Sequence, residues 1–208
     1  MTTIQPKQST CRFGLARRDI TPPIGMYHRM WGAAKHDRST GVHRPLLASV
    51  MIFQEINNEP GTLAMQVVVA VDHCVLDQRE IDGIKAQIEL SAGFSPDCVL
   101  VTCSHTHAAG LMNRDRTELP GGEMLPQYLD GLHKTIAELA AEAGSKVQDV
   151  TITYTEGTCD LAQHRDFWDG EQWVCGLNPQ GETDDTVLLA RVTTANDDLV
   201  ATIVNYAC

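Results

Sequence analysis

His105 and His107 stand one residue apart at the end of the apolar run Val99-Leu100-Val101-Thr102-Cys103. In an extended backbone, residues two apart project to the same side, so both imidazoles can converge on one point. Neutral imidazole is the commonest metal ligand working near pH 7, and borderline-soft ions such as zinc favour it. The pair points to a metal centre of hydrolytic type, although two such rings can equally hydrogen-bond within a loop. Cys103 extends the set to i, i+2 and i+4. A Cys-His-His zinc site is one reading of that set, and a buried thiol, the usual state of a strand cysteine, is the favoured one. Asp72 closes a second apolar run and is placed either to orient His105 or His107 through the ring's other nitrogen or to cap a turn. His73, next to it, points the opposite way in an extended chain.

These side chains need a sheet to hold them. Residues 13–20 read as a first strand, stopped by Thr21-Pro22-Pro23-Ile24-Gly25 because prolines cannot donate to a ladder. Residues 26–41, with His28, Trp31, His36 and Asp37, form a polar loop that is either functional or surface padding. His43 and Arg44 precede the next strand and read as packing or surface residues. Residues 46–53 and 62–71 are two further strands joined by the hairpin-type linker Asn57-Asn58-Glu59-Pro60-Gly61. Residues 67–71 lack alternation, as expected of a strand covered on both faces. A helix over 77–92 follows, with Asp77 as cap, Glu80 completing a box-like start, and Ile81, Ile84 and Ile88 at helical spacing. The strand 97–103 then completes a strand–helix–strand unit typical of a parallel sheet. A second helix spans 125–143, and strands follow at 150–156, 186–193 and 199–206. The class is α/β, a mixed and partly parallel sheet with flanking helices in a single domain.

Composition narrows the partners. A formal charge of −11 over 208 residues disfavours a nucleic-acid backbone or an anionic membrane surface. No apolar segment approaches the roughly 18–20 residues that span a bilayer, and residues 1–8 lack the apolar core of a secretory signal. Seven cysteines without a C-x-x-C pair fit reduced thiols, and hence a cytoplasmic location. Nothing in the composition fixes an oligomeric state.

Several blocks, in order, carry a resemblance. They are Arg18-Asp19-Ile20-Thr21-Pro22-Pro23-Ile24-Gly25, Val42-His43-Arg44-Pro45-Leu46-Leu47-Ala48, Val69-Ala70-Val71-Asp72 and Ser104-His105-Thr106-His107. Further on come Gln163-His164-Arg165, Asn178-Pro179, Asp185-Thr186-Val187-Leu188-Leu189 and Ile203-Val204-Asn205-Tyr206-Ala207-Cys208. Together they resemble the neutral/alkaline non-lysosomal ceramidase family over nearly the whole chain. The resemblance implies a zinc-dependent hydrolase of the N-acyl bond of ceramide or a related lipid amide. It implies that His105 is a ligand of a single zinc ion, that His107 lies beside the metal to bind or polarise the substrate, and that Arg165 lines the site. The chain departs from the family at Ala108-Ala109-Gly110, after the histidines, and at His164, where the family has asparagine.

The family's next metal histidine would directly follow Cys208, with a glutamate and a tyrosine ligand further on. The strand at 199–206 also reads as buried and cut short. Residues 1–208 are accordingly expected to be the N-terminal portion of a ceramidase-like metal hydrolase domain, holding half of a site and inactive alone. Two other readings compete: a metal-dependent amidohydrolase of another kind, whose His-x-His follows a first barrel strand, and a non-catalytic fragment or binding module. A catalytic zinc needs about three protein ligands and an open position, where it lowers the pKa of water to roughly 7.

Overall fold

Runs rich in Val, Ile and Phe make the first three strands: β1 (Gln8–Asp19), β2 (Leu47–Gln54) and β3 (Met65–Val71). β1 pairs antiparallel with β2, and β2 antiparallel with β3. β4 (Val99–Cys103) pairs parallel with β3, with Val71 opposite Cys103, so these strands lie in the order β4-β3-β2-β1. A parallel pair needs a crossover, and α1 (Gln78–Ala92) supplies it. The computed structural model describes residues 6–30, 34–56 and 65–207. Trp31, the linker at 57–61, residues 62–64 of the expected third strand and Cys208 lie outside the described residues.

Contacts divide the chain into two compact units, residues 12–148 and residues 1–11 with 149–208. The larger unit holds β2, β3, β4, both helices and β1 from Arg12 onward. Asp77 caps α1 by accepting from Glu80 N at 3.0 Å, and Gly93, at φ 73°, ends it by donating to Glu89 O. Such a left-handed C-cap position favours glycine. Glu80 does not simply complete the cap, because its carboxylate is fully buried and meets Arg114 and His133. In α2 (Leu125–Ser145) the stripe Leu125, Leu129, Leu132, Ile136 and Leu139 is buried, as its helical spacing requires.

That stripe packs with Ile84 and Ile88 of α1 on Val67, Val69 and Val71 of β3. The expectation that β3 is covered on both faces does not hold. Gln66 is exposed, while Val68 and Ala70 are half-buried, since the core helices cover one face. A (β/α) barrel needs successive parallel strands, whereas β1, β2 and β3 run antiparallel to one another. Among the described residues no helix is long and apolar enough to cross a membrane.

In the smaller unit, β5 (Gln148–Thr158), β8 (Thr186–Thr193) and β9 (Leu199–Tyr206) form an antiparallel row in the order β5-β8-β9. The short hairpin of β6 (Asp166–Trp168) and β7 (Trp173–Cys175) was not legible in the periodicity. Its turn is held by Asp169 Oδ1, which accepts from the backbone N–H groups of Glu171 and Gln172, both at 2.9 Å. β9, read from its sequence as a buried strand, is largely exposed: Leu199 is 61% and Val204 58% accessible.

Candidate metal centre

Parallel, in-register pairing of β3 and β4 makes the segments that follow them leave the sheet at one edge. Ser104 N donates to Val71 O at 3.0 Å and ties the two exits together. Open α/β sheets bind ligands at the carboxyl ends of their strands, and here that edge carries Asp72, His73 and Cys74 from one strand and His105 and His107 from the other. β4 ends at Cys103, and His105 adopts φ 55°, so strand alternation does not continue through the pair. A non-glycine residue in that region costs on the order of 1–3 kcal/mol and persists where surrounding structure over-determines it. The rings of His105 and His107 nevertheless lie together, with centroids 5.0 Å apart at 65°.

The third donor at this point is Cys74. Its Sγ lies 3.5 Å from Nδ1 and 3.9 Å from Nε2 of His105. One ligand atom each from Cys74, His105 and His107 fall within 4.8 Å of one another, with the thiol buried and both rings exposed. A thiol and two imidazoles are a donor set suited to a borderline-soft cation such as zinc. Cys103, the cysteine whose spacing drew attention, is absent from this group; burial pushes its thiol up from the usual range and keeps it protonated. Cys74 escaped the sequence because its link to His105 depends on strand pairing and on no local spacing.

Asp72 Oδ2 accepts from Leu47 N at 2.9 Å, while Asp72 N donates to Leu47 O, also at 2.9 Å. This double bond to β2 fixes where β3 ends. His73, as alternation requires, turns into the core, where its Nε2 meets Tyr128 OH at 2.8 Å. Arg165 belongs to the smaller unit: Nε donates to Gly176 O at 2.8 Å and Gly176 N returns a bond to Arg165 O at 2.7 Å, extending the β6–β7 hairpin.

Beside the histidines opens a cavity of about 630 Å³, within the roughly 300–1,000 Å³ usual for small-molecule sites. Thr106 and Ala108, the residues alternating with and following the two histidines, line it, together with Asp72, His28, His43 and Arg44. Met26, Val42, Leu46 and Met112 give it an apolar part. His43 and Arg44, read from sequence as packing or surface residues, are thus wall residues of a pocket.

Tyr27, His28, Ser39 and Gly41 close another side. His28 Nε2 lies 2.9 Å from Ala108 O, and His28 Nδ1 lies 3.0 Å from His36 Nε2. Since a carbonyl oxygen only accepts, His28 carries its hydrogen on Nε2, and His36 donates to Nδ1. Close approach of the two loops needs Gly110, where a Cβ would come within 2.5 Å of Tyr27 O. The departure Ala108-Ala109-Gly110 therefore has a packing role here.

No protein-family model matches the chain, and no curated protein does. Two solved structures resemble it in fold. One is a ceramidase complexed with C2, with a TM-score of 0.69 at 17% identity over 93% of this chain and 30% of that one. The other is the neutral ceramidase from Pseudomonas aeruginosa, with a TM-score of 0.67 at 16% identity over 97% of this chain and 32% of that one. The chain thus has a ceramidase-like fold and spans about a third of the length of these proteins.

Proposed function

We propose that this chain carries one part of the active site of a zinc-dependent hydrolase that cleaves the amide bond of an N-acyl-sphingosine or related lipid amide. The observation that carries the reading is the convergence of His105 and His107 at the carboxyl edge of a ceramidase-like sheet, beside a pocket of substrate size. In this reading His105 holds the ion, and residues 1–208 are the N-terminal portion of the hydrolase domain, with further ligands supplied by polypeptide beyond residue 208.

The bound ion would act as a Lewis acid on the amide carbonyl and make water nucleophilic near neutral pH. The chain's own residues do the rest. His107, beside His105, is placed to donate a hydrogen bond to the carbonyl oxygen as charge develops there. Asp72 is a positioning residue, since its carboxylate grips Leu47 N and thereby fixes the segment leading to Cys74. The apolar wall of Met26, Val42, Leu46 and Met112 takes hydrocarbon, while His43 and Arg44 meet the polar part of the substrate. Arg165 is assigned to the same reaction by the family resemblance alone, as a donor to the oxyanion.

The test is hydrolysis of a fluorescent short-chain N-acyl-sphingosine by the protein extended past residue 208. Fatty-acid release that falls by orders of magnitude in His105→Ala, and on chelation, is the expected result. A folded, metal-loaded protein that cleaves no amide, or a His105→Ala variant as active as its parent, would contradict the reading.

A further inference from the structure

Arg44 and His43 line the cavity from the segment that leads into β2 at Leu47. Elsewhere in the larger unit Arg18, Arg29, Arg38 and Arg114 each meet a carboxylate. Arg44 has no ion-pair or hydrogen-bond partner among the described residues. The chain holds 27 acidic against 16 basic residues, so carboxylates are plentiful, yet none of the described ones is set against this guanidinium. Among the described residues Asp72 is the one acid on the cavity wall, and its Oδ2 is engaged by Leu47 N at 2.9 Å.

Several other polar groups of the wall are already spent within the protein. Thr21 Oγ1 donates to Asp19 and accepts from Leu46 N, Ser39 Oγ accepts from Gly25 N, and His28 Nε2 donates to Ala108 O. Thr106 Oγ1 accepts from Ala108 N at 3.3 Å, which leaves its hydroxyl hydrogen to give. His43, like Arg44, has no partner among the described residues. A guanidinium only donates, so Arg44 calls for a ligand group rich in acceptors. An oxyanion is such a group, and the guanidinium fork grips it through two parallel bonds. Beside it Met26, Val42, Leu46 and Met112 take hydrocarbon.

We propose that the substrate is a lipid amide whose polar end carries an anionic group, a carboxylate or a phosphate, bound by Arg44 and flanked by His43. The proposal rests on the reading of this cavity as the substrate pocket of a lipid-amide hydrolase, and it names the class of amide. A neutral hydroxyl in the same place accepts from the guanidinium but leaves its charge unanswered.

Calorimetric titration of the 208-residue chain tests this without any assay of catalysis. The probes are N-lauroylethanolamine, its O-phosphate and N-lauroylglycine, each kept below its critical micelle concentration. They share the acyl chain and the amide, and they end in a hydroxyl, a phosphate and a carboxylate. At low ionic strength at least one anionic probe is expected to bind about tenfold tighter than the alcohol. Whichever of the two binds tighter identifies the anion. Arg44→Met should bring that probe to within about twofold of the alcohol. Arg79→Met, a change on exposed α1 outside the cavity lining, should leave the preference in place. Arg44 is itself exposed, so its replacement breaks no buried contact. Equal affinity for all three probes, binding of none by the folded chain, or a preference that survives Arg44→Met would each overturn the proposal. So would a preference lost equally in Arg79→Met, which marks a diffuse charge effect. A longer protein that cleaves N-acyl-sphingosine, with no anion preference in this chain, would sink this proposal alone. The preference without amide cleavage by the longer protein would sink the hydrolase reading alone.

Discussion

His73 is fully buried, and burial drives its pKa down to about 4, so the ring is neutral near pH 7. Tyr128 OH donates its one hydrogen to Ile20 O at 2.7 Å, so at the 2.8 Å contact with His73 it must accept, and Nε2 carries the ring's hydrogen. Nδ1 is then a buried acceptor without a hydrogen-bond partner among the described residues. Burial likewise holds the Tyr128 hydroxyl far above its ordinary pKa, so this relay stays uncharged. Replacing His73 by Phe removes the donor to a buried hydroxyl and should cost about 1–3 kcal/mol, read as a lower urea midpoint with an unchanged slope. Alternation along the strand exit already separated His73 from Asp72, and the structure sends one to the core and the other to the cavity wall. Cys74 was not legible in the same way. Its partner is 31 residues distant in the chain, and local periodicity carries no information about which strands become neighbours.

Among the elements, the junction of the two helices is held by charge. Glu80 of α1 accepts from Arg114 Nε at Oε1, 2.8 Å, and from Nη2 at Oε2, 3.1 Å, while His133 Nε2 of α2 lies 2.9 Å from that same Oε2. Arg114 also reaches Asp130 at 2.7 Å, and its pKa is raised chiefly by the bond to Glu80. Arg114→Met would strip the buried Glu80 carboxylate of its guanidinium partner, and a loss of about 3–5 kcal/mol is expected in chemical denaturation. The double change Arg114→Met with Glu80→Leu should cost clearly less than that. The helix spacing of Ile81, Ile84 and Ile88 located α1 from sequence, but the same arithmetic read Glu80 as part of a cap. Only the tertiary position of Arg114 turns it into a buried anion.

Two helix glycines give a sharper test at this scale. A Cβ on Gly83 would come within 2.5 Å of the His133 ring, whereas one on Gly131 would meet open space. Gly131→Ala should therefore raise stability by about 0.5–1 kcal/mol. Gly83→Ala should lower it despite the same gain in helix propensity. Thermal melts of the two variants side by side check both signs.

For the molecule as a whole, the fold class and most elements followed from periodicity, because both core helices carry a continuous apolar stripe. β8 and β9 fall where alternation and turn residues set them, while the three-residue strands β6 and β7 are too short to leave a period. The degree of burial was harder to read. β3 and β9 look alike in apolar content, yet β3 packs on two helices and β9 pairs with one neighbour in its row. If the folded state binds zinc and the unfolded chain does not, zinc at 100 times its dissociation constant should stabilise the chain by about 2.7 kcal/mol. His105→Gln should erase that gain in a thermal shift series.

The claim on which all of this turns is that the ring at position 105 coordinates a metal ion. Diffraction from zinc-soaked crystals, measured on both sides of the zinc absorption edge, addresses it directly. The account predicts one strong anomalous peak at bonding distance from a ring nitrogen of His105. Zinc found only elsewhere on the molecule, with the His105 ring bound to no ion, would contradict it.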